Sequence, residues 1–374
     1  MHHELTKEML KDIAEQFIVD GDFISGESFG SGHINDTYRL QFQTRAGIRR
    51  YILQRINTCI FKQPEKLMEN ILRVTRHQLK KMQDRGEKDT ERKYLRFFPA
   101  KNGDYFYRDE KGNYWRVCQF IERAHTCDII ESTDLAFLTA ASFARFQKTL
   151  VDLPGERRLH ETIQNFHNTA SRFADFKRTV EFDAAQRGVS CKKEIDFALQ
   201  RKDIAPVLVD LMKRNKVPER ITHNDTKINN IMLDDATNKA ICIIDLDTVM
   251  PGSSLYDFGD MVRSTSCTAA EDEKDLNKVA INVYLFEALA GGYLSEAKDF
   301  LNSEEIDHLA FSGKLITFEQ GIRFLTDYLN GDIYYKIKYP EHNIVRARNQ
   351  FKLVESIEQQ EKTLNAIVKK IVAG

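Results

Sequence analysis

Three polar side chains in the second half of the chain stand at spacings that suit phosphoryl transfer. The segment from 223 to 230 reads His-Asn-Asp-Thr-Lys-Ile-Asn-Asn, so the carboxylate of Asp225 precedes the carboxamide of Asn230 by five residues. Two apolar stretches around a turn follow, and Asp245 comes directly after the second of them. Because a carboxylate in such a loop can orient an acceptor hydroxyl and take its proton, we predict Asp225 as the catalytic base.

Asn230 and Asp245 carry the hard oxygen atoms that Mg²⁺ prefers as ligands. Mg²⁺ keeps several waters and is commonly shared with substrate phosphates, so two protein ligands suffice. We therefore predict both residues as metal ligands, Mg²⁺ as the cofactor and ATP as the phosphoryl donor. Read alone, the tripeptide from His223 to Asp225 is also a common polar turn. The correctly spaced Asn230 and Asp245 favour the catalytic interpretation.

A glycine-containing turn near the start of the chain is the second candidate site. Gly30, Ser31 and Gly32 lie between two predicted strands, and glycine lets backbone N–H groups approach phosphate oxygens closely. A plain hairpin turn accounts for the same residues. Their position ahead of paired strands and a helix favours nucleotide binding. The sequence contains no G-x-x-x-x-G-K-[ST] motif, which excludes a P-loop kinase.

The predicted elements change type near residue 122. Upstream, alternation of apolar and polar residues from Tyr38 to Phe42 predicts a strand. Further strands are predicted at 51–53, 95–98, 105–107 and 115–121, with one helix at 65–83. Downstream, two strands at 231–233 and 241–244 interrupt predicted helices at 133–150, 163–187, 192–214, 271–290, 303–330 and 343–371.

This order predicts an α+β, bilobal, protein-kinase-like fold. A small antiparallel-sheet lobe with one helix, residues 1–121, would bind the nucleotide. A larger and mainly helical lobe, residues 122–374, would carry catalysis and substrate binding.

Composition narrows the class of protein. Among 374 residues, 55 Lys and Arg balance 56 Asp and Glu, which argues against a nucleic-acid binder. No stretch approaches the roughly 18 consecutive apolar residues of a membrane span. The amino terminus has no apolar core of a signal peptide, and the six cysteines are scattered singly, as buried thiols in a reducing compartment would be. We expect a cytoplasmic monomer that binds ATP and a small substrate.

The motifs resemble those of the aminoglycoside phosphotransferase and choline kinase superfamily, whose signature is H-x-D-x-x-x-x-N followed by I-D. The resemblance in element order spans nearly the whole chain. A narrower likeness, to N-acetylhexosamine 1-kinases, is carried by the segments at 32–38, 51–54, 222–227, 245–252 and 323–329. It implies phosphorylation of the anomeric (C1) hydroxyl of N-acetylglucosamine and N-acetylgalactosamine to give the sugar 1-phosphate.

The same resemblance implies two further groups of site residues. Gln119 to Glu122 would form the interlobe hinge, where backbone groups of Gln119 and Ile121 could hydrogen-bond adenine. Arg323 and Tyr334 would lie in the sugar pocket. From the residues alone, Arg323 could be a solvent-facing helix residue and Tyr334 could simply pack against its neighbour. The apolar neighbours of Arg323 argue for a buried segment, where an unpaired arginine is costly.

One departure concerns the lysine that a typical kinase carries on its third strand to hold phosphates. That position falls on Gln54, and Arg55 points to the opposite face if the strand is regular. Either Mg²⁺ and the glycine turn hold the triphosphate, or a bulge re-aims Arg55. Glu65 and Glu69 on the predicted helix then have no obvious lysine partner.

Two more residues match the resemblance and have structural interpretations. Asp257 is expected to cap a helix or brace the catalytic loop. His167 is expected to be a hydrogen-bonded structural histidine rather than a ligand.

Three alternatives to a sugar kinase stay open. A kinase of the same superfamily could act on choline, an aminoglycoside or another metabolite. The missing lysine suggests a nucleotide-binding pseudokinase module, although intact Asp225, Asn230 and Asp245 weigh against it. A metal phosphohydrolase using His223 would want further His or Asp ligands nearby.

Overall fold

The computed structural model describes residues 5–30, 34–130, 132–155 and 158–374. The chain separates into two compact units. The first unit contains the residues up to His125 together with Leu153–Ile163 and Met232–Val249. The second unit contains Thr126–Asp152, Gln164–Ile231 and Met250–Gly374.

An antiparallel sheet forms the centre of the first unit. Its strands are β1 (Asp22–Ser28), β2 (Asp36–Thr44), β3 (Gly47–Ile56), β4 (Phe97–Phe98), β5 (Tyr107–Arg108) and β6 (Tyr114–Gln119). They are ordered β1-β2-β3-β6-β4, and β5 pairs with β6. The predicted strands at 95–98, 105–107 and 115–121 were too long or displaced, because only the residues that find ladder partners on β6, and β6 itself, are extended.

Apolar side chains cover one face of this sheet. Tyr51, Leu53 and Val117 are buried there with Leu10 of a first helix, α1 (Lys7–Ala14). The second helix, α2 (Pro64–Asp84), confirms the predicted helix at 65–83. A separate three-stranded sheet is ordered β10-β9-β7, with β7 (Ala124–His125), β9 (Ile231–Asp234) and β10 (Ala240–Ile243).

The second unit is mainly helical. Its helices are α3 (Thr133–Leu150), α4 (Thr169–Phe182), α5 (Lys192–Gln200), α6 (Val207–Lys213), α7 (Ser254–Thr265), α8 (Val283–Ala297), α9 (Ser303–Asp307), α10 (Leu309–Leu329) and α11 (His342–Ala373). Its two strands, β8 (Arg220–Thr222) and β11 (Met250–Gly252), pair antiparallel. A core of buried side chains, including Phe176, Phe318, Ile322 and Phe351, joins α4, α10 and α11.

The α+β fold class with a small sheet and a larger helical part is confirmed. The predicted helices at 133–150 and 343–371 and both strands of the 231–244 hairpin are also present. None of the described helices combines the length and the apolar character needed to cross a membrane. None of the six cysteines, all of which lie among the described residues, forms a disulfide. Cys59 is exposed and Cys127 and Cys267 are half-buried, so the expectation that all six are buried was wrong.

Several predicted helices began too early or ran through a break. The helix at 163–187 starts only at Thr169, where the side chain of Asn168 caps it. The helix at 271–290 starts at Val283, capped by Asn282. The helix at 192–214 is two helices, since Pro206 ahead of α6 cannot continue a hydrogen-bonded helix. The helix at 303–330 is interrupted at His308.

Two helices were not predicted. Helix α1 has only eight residues, too few for a clear periodic pattern. In α7 every residue except Ser264 is buried, so polar and apolar residues alternate without an apolar stripe. Gly259 explains part of this burial, because a Cβ there would lie 2.5 Å from the Ser312 carbonyl oxygen of α10. Helix α7 holds the catalytic loop.

Candidate active site

The loop that carries Asp225 leaves β8 and turns sharply. Asn224 adopts the left-handed region with φ of 64°, a conformation that asparagine tolerates better than most residues. Its side chain stays within the turn, where Oδ1 accepts from the Thr222 hydroxyl at 3.0 Å. The loop ends in a short 3₁₀ turn at Ile228–Asn230. This geometry brings the two ends of the motif together.

Two carboxylates of α7 fix the backbone of the loop. Asp257 is fully buried and accepts from the backbone N–H groups of His223 (2.9 Å) and Asn224 (2.7 Å). Asp260 accepts from the N–H of Thr226 at 2.9 Å. Burial raises the pKa of Asp257, although these donors favour its charged form. The prediction that Asp257 braces the loop containing Asp225 is confirmed.

The alternative role for Asp257, that of a helix cap, was wrong. Ser253 caps α7, since its hydroxyl accepts from the N–H of Leu255 at 3.2 Å. Asp257 instead accepts a further hydrogen bond from Gln147 of α3 at 2.6 Å, so three donors satisfy one buried carboxylate.

Asp225 is held by a cation and an amide. Its Oδ1 lies 2.9 Å from Lys227 Nζ, and its Oδ2 accepts from Asn230 Nδ2 at 3.0 Å. Burial would raise the pKa of Asp225, but the charge of Lys227 and these hydrogen bonds lower it to about 2. The carboxylate is therefore ionised at neutral pH and can accept a hydrogen bond from a hydroxyl group.

Lys227 is a site residue that the sequence analysis quoted but gave no role. The backbone of Lys227 is extended, and in an extended segment residues two apart point to the same side. Thr226 between them points the other way, toward α7, where its hydroxyl donates to the Asp257 carbonyl at 2.7 Å. The Asp-x-Lys spacing was the available signal.

Asn230 and Asp245 offer the oxygen atoms expected of magnesium ligands. The side chain of Asn230 is buried, and its Nδ2 donates to both the carboxylate and the backbone carbonyl of Asp225, which leaves Oδ1 as the atom for the predicted metal contact. Asp245 belongs to the first unit and stands just after β10 with φ of 56°. This donor set of one amide and one carboxylate oxygen fits Mg²⁺ shared with phosphates. Their joint role as ligands stays a prediction.

The predicted nucleotide-binding residues are described only in part. Gly30 has φ of 80°, a conformation that favours glycine, and an added Cβ would meet no atom of the described residues within 4 Å. Ser31 and Gly32 lie outside the described residues. Phosphate binding by this turn stays a prediction.

The predicted hinge residue Gln119 is engaged within the first unit. Its backbone N–H donates to the Arg96 carbonyl at 2.9 Å, and its side-chain Nε2 donates to the carbonyls of Tyr94 (2.8 Å) and Glu91. Its predicted contact to adenine stays a prediction. Ile121 follows the end of β6 and has a buried side chain. Its predicted adenine contact is untested.

Arg323 lies on α10 among aromatic rings. Its guanidinium is 5.3 Å from the ring centre of Phe166 and 5.8 Å from that of Tyr335, and its Nη1 donates to Gln320 Oε1 at 3.2 Å. Tyr334, the other predicted pocket residue, is 52% exposed. Aromatic rings beside a multi-donor cation could contact the face and the oxygen atoms of a polar ring. The roles of Arg323 and Tyr334 in a sugar pocket stay predictions.

A buried histidine connects α10 to the catalytic loop. The ring of His167 pairs with Glu319 at 2.8 Å through Nδ1 and reaches the Asn224 carbonyl at 3.2 Å through Nε2. The other carboxylate oxygen of Glu319 accepts from Thr169 at 2.5 Å. Both ring nitrogens are engaged, which confirms the structural interpretation of His167. Because Arg323 follows Glu319 by one helical turn, this link ties the Arg323 region to the Asp225 loop.

Arg172 on α4 is a second residue that sequence reasoning missed. Its Nη2 donates to the Phe166 carbonyl at 3.4 Å, while its buried Nε has no hydrogen-bond partner within the described part of the chain. Burial and the positive charge of Arg323 lower the pKa of Arg172. A single arginine in a helical segment carried no signal in the sequence.

Solved structures with similar folds are phosphotransferases. An aminoglycoside phosphotransferase from Alicyclobacillus acidocaldarius is 12% identical, with 100% of this chain and 98% of that chain covered and a TM-score of 0.58. Spectinomycin phosphotransferase APH(9)-Ia, in complex with ADP and spectinomycin, is 11% identical, with 96% and 100% covered and a TM-score of 0.60. A choline kinase from Cryptosporidium parvum Iowa II is 11% identical, with 99% and 100% covered and a TM-score of 0.58.

At these identities the similar structures support the fold alone. The sequence itself carries the family assignment, since residues 25–288 match the model of the phosphotransferase enzyme family. The match includes the loop with Asp225 and Asn230, the brace Asp257, and Asp245. The chain therefore belongs to the phosphotransferase enzyme family.

Proposed function

We propose that this protein is an ATP- and Mg²⁺-dependent kinase that phosphorylates the anomeric hydroxyl of N-acetylhexosamines and releases the sugar 1-phosphate. The lobe at 1–121 would bind the nucleotide through the glycine turn and the hinge. The lobe at 122–374 would carry catalysis and acceptor binding. We also propose that it acts as a cytoplasmic monomer.

Asp225 would accept the hydrogen bond of the acceptor hydroxyl and take its proton as transfer proceeds. A carboxylate with a pKa of about 2 is a weak base, so it suits an acidic hydroxyl better than an ordinary alcohol. The anomeric hydroxyl of a sugar is more acidic than its other hydroxyls. Transfer to C1 would therefore require less of Asp225 as a base than transfer to the other hydroxyls.

Asn230 and Asp245 would hold Mg²⁺ through one oxygen each. The bound ion would neutralise negative charge on the nucleotide phosphates. Lys227 would keep Asp225 ionised and in place through its 2.9 Å contact.

The observation that carries the choice of acceptor is the pair of arginines in the second unit. Arg172 and Arg323 are close enough for the charge of one to lower the pKa of the other. A cationic acceptor such as choline or an aminoglycoside would meet two arginines against the single nearby carboxylate of Glu319, which is less favourable than binding of a neutral acceptor. A neutral sugar with an acetamide carbonyl offers an oxygen to guanidinium donors and a ring face to Phe166 and Tyr335.

A panel assay of ATP consumption tests this proposal. N-acetylglucosamine and N-acetylgalactosamine should be turned over, and choline and kanamycin should not. Glucosamine is the matched control, because it keeps the ring and every hydroxyl but replaces the neutral acetamide with an ammonium group. Turnover of only the cationic acceptors would overturn the sugar-kinase proposal and leave the phosphotransferase family unaffected. No ATP consumption with any acceptor would favour a pseudokinase.

A further inference from the structure

The regular geometry of strand β3 determines on which face of the sheet the side chain of Arg55 lies. The ladders of β3 with β2 and with β6 run without a register shift through Gln54 and Arg55. No bulge therefore re-aims Arg55 toward the face of Gln54. Its guanidinium pairs instead with Asp36 and lies 5.9 Å from the ring centre of Trp115, on the opposite face. The cation that a phosphate-binding strand would supply has to come from another residue.

Arg116 is the cation on the face of Gln54. It stands directly across the ladder from Gln54, on β6, and its Nε donates to Gln54 Oε1 at 3.0 Å. Gln54 Nε2 in turn donates to the Thr37 hydroxyl at 3.1 Å, which holds the amide oxygen toward Arg116. The whole Arg116 residue is 2% exposed. A full positive charge thus occupies the sheet face where a kinase lysine would lie.

The counter-ion of Arg116 is part of the segment that contains the predicted metal ligand. Arg116 Nη1 lies 2.6 Å from Asp247 Oδ1, and Asp247 follows Asp245 by two residues. The other carboxylate oxygen of Asp247 accepts from Asn35 Nδ2 at 2.6 Å, just after the glycine turn. Burial opposes the charge of Arg116, but Asp247 and then Asp245 favour it, and its pKa is raised. Arg116 therefore stays charged beside Asp247, which also contacts Asn35 and lies two residues after the predicted metal ligand Asp245.

Helix α2 does not supply the partner that a typical kinase uses. Glu65 accepts from the Tyr114 hydroxyl at 2.7 Å, and Glu69 pairs with His160 at 2.8 Å. The α2 side chain that reaches Arg116 is Met68, whose Sδ lies 3.9 Å from Nη1. In this chain the cation on the face of Gln54 therefore pairs with Asp247 and not with a glutamate of α2.

We propose that Arg116 is the phosphate-binding cation of the nucleotide site, in place of a lysine on β3. Gln54, Asp247 and the sulfur of Met68 engage three of the five N–H donors of the guanidinium, and the planar group can bind a phosphate with the other two. The inference rests on one part of the proposed function, namely that the phosphoryl group comes from a nucleotide. It does not depend on which acceptor is used.

Calorimetric binding of ADP and of adenosine tests Arg116 directly. Arg116→Gln should raise the Kd for ADP by about tenfold or more, the loss of at least one charge-assisted hydrogen bond. The Kd for adenosine, which has no phosphate, should stay within about twofold. Adding Gln54→Lys to Arg116→Gln should restore much of the ADP affinity, because the lysine returns a cation to the same face.

The thermal midpoint of Arg116→Gln shows whether this variant folds. If it does not fold, Arg116→Lys, which keeps the positive charge, replaces it in the binding measurements. It should weaken ADP several-fold and leave adenosine unchanged, since an ammonium lacks the fork geometry. Equal weakening of both ligands, or unchanged ADP affinity, would overturn the proposal and mark Arg116 as purely structural. Because no sugar is present, this result is independent of the acceptor proposal.

Discussion

The ion pairs Asp225–Lys227 and Arg116–Asp247 differ in how far apart their residues lie in the sequence and in how deeply their side chains are buried. The first joins two residues of one loop, and its side chains are 28% and 42% exposed. The second joins distant parts of the chain, and its side chains are 3% and 4% exposed. A local, half-exposed pair adjusts chemistry at little cost, whereas a buried pair also determines whether the surrounding structure is stable.

The largest expected effect is on catalysis by the loop. Asp225→Asn should lower kcat by at least about a hundredfold, because orientation and proton acceptance are both lost. The amide keeps the size of the side chain, so the thermal midpoint should change little. Single-turnover kinetics with saturating ATP give the chemical step. Retention of more than about a tenth of the wild-type kcat would remove Asp225 from the role of base.

The next effect concerns stability and the buried pair. Asp247→Asn leaves Arg116 buried without a counter-ion, which should cost about 3–5 kcal/mol in the free energy of unfolding. Asp36→Asn breaks the more exposed pair with Arg55 in the same sheet and should cost less than about 1 kcal/mol. Urea denaturation of both variants gives the comparison. Similar losses in the two variants would show that burial does not distinguish these pairs.

A smaller effect is expected at the acceptor region. Arg323→Ala and Arg172→Ala should each raise KM for N-acetylhexosamines by about tenfold, while KM for ATP hardly moves. Arg178→Ala is the matched control, because Arg178 lies on the same helix as Arg172 but is exposed. Steady-state kinetics with each substrate varied in turn provide the readout. An increase in KM for ATP alone would place both arginines outside the acceptor site.

The smallest effect is a shift in pH dependence. Lys227 helps to hold the pKa of Asp225 at about 2, so the catalytic carboxylate of the wild type stays ionised well below neutral pH. In Lys227→Met this pKa should rise toward the ordinary value of about 3.9, and activity should decline at a higher pH as the solution is acidified. The profile of kcat/KM from pH 3 to 7 measures this. An unchanged acid limb would contradict the coupling.

The same contrast explains what could be predicted from the sequence. The predicted roles of Asp225 and Asn230 follow from short-range spacing, because both residues lie in one loop. Asp257 lies far from them in the sequence and was identified through the family resemblance. The helices α2, α3 and α11 are long and periodic enough to be recognised. Helix α7 was missed because burial on every side leaves no amphipathic stripe.

Arg116 could not be identified from the sequence because its importance depends on its neighbours across the sheet and on Asp247. An arginine on a strand next to Trp115 reads as an ordinary alternating residue. The register between β3 and β6 places Arg116 opposite Gln54. Asp247 is distant in the sequence and reaches Arg116 only in the folded chain. Arg172 was hidden for the same reason, since its proximity to Arg323 joins two helices.

The position of the transferred phosphate tests the central proposal most directly. N-acetylglucosamine and its methyl 1-glycoside differ only at the anomeric oxygen, which the methyl group blocks, while the 6-hydroxyl is the same in both. The protein should phosphorylate the free sugar, with a glycosyl phosphate signal in the ³¹P NMR spectrum, and should leave the glycoside unchanged. Phosphorylation of the glycoside at a rate comparable to the free sugar would contradict transfer to C1.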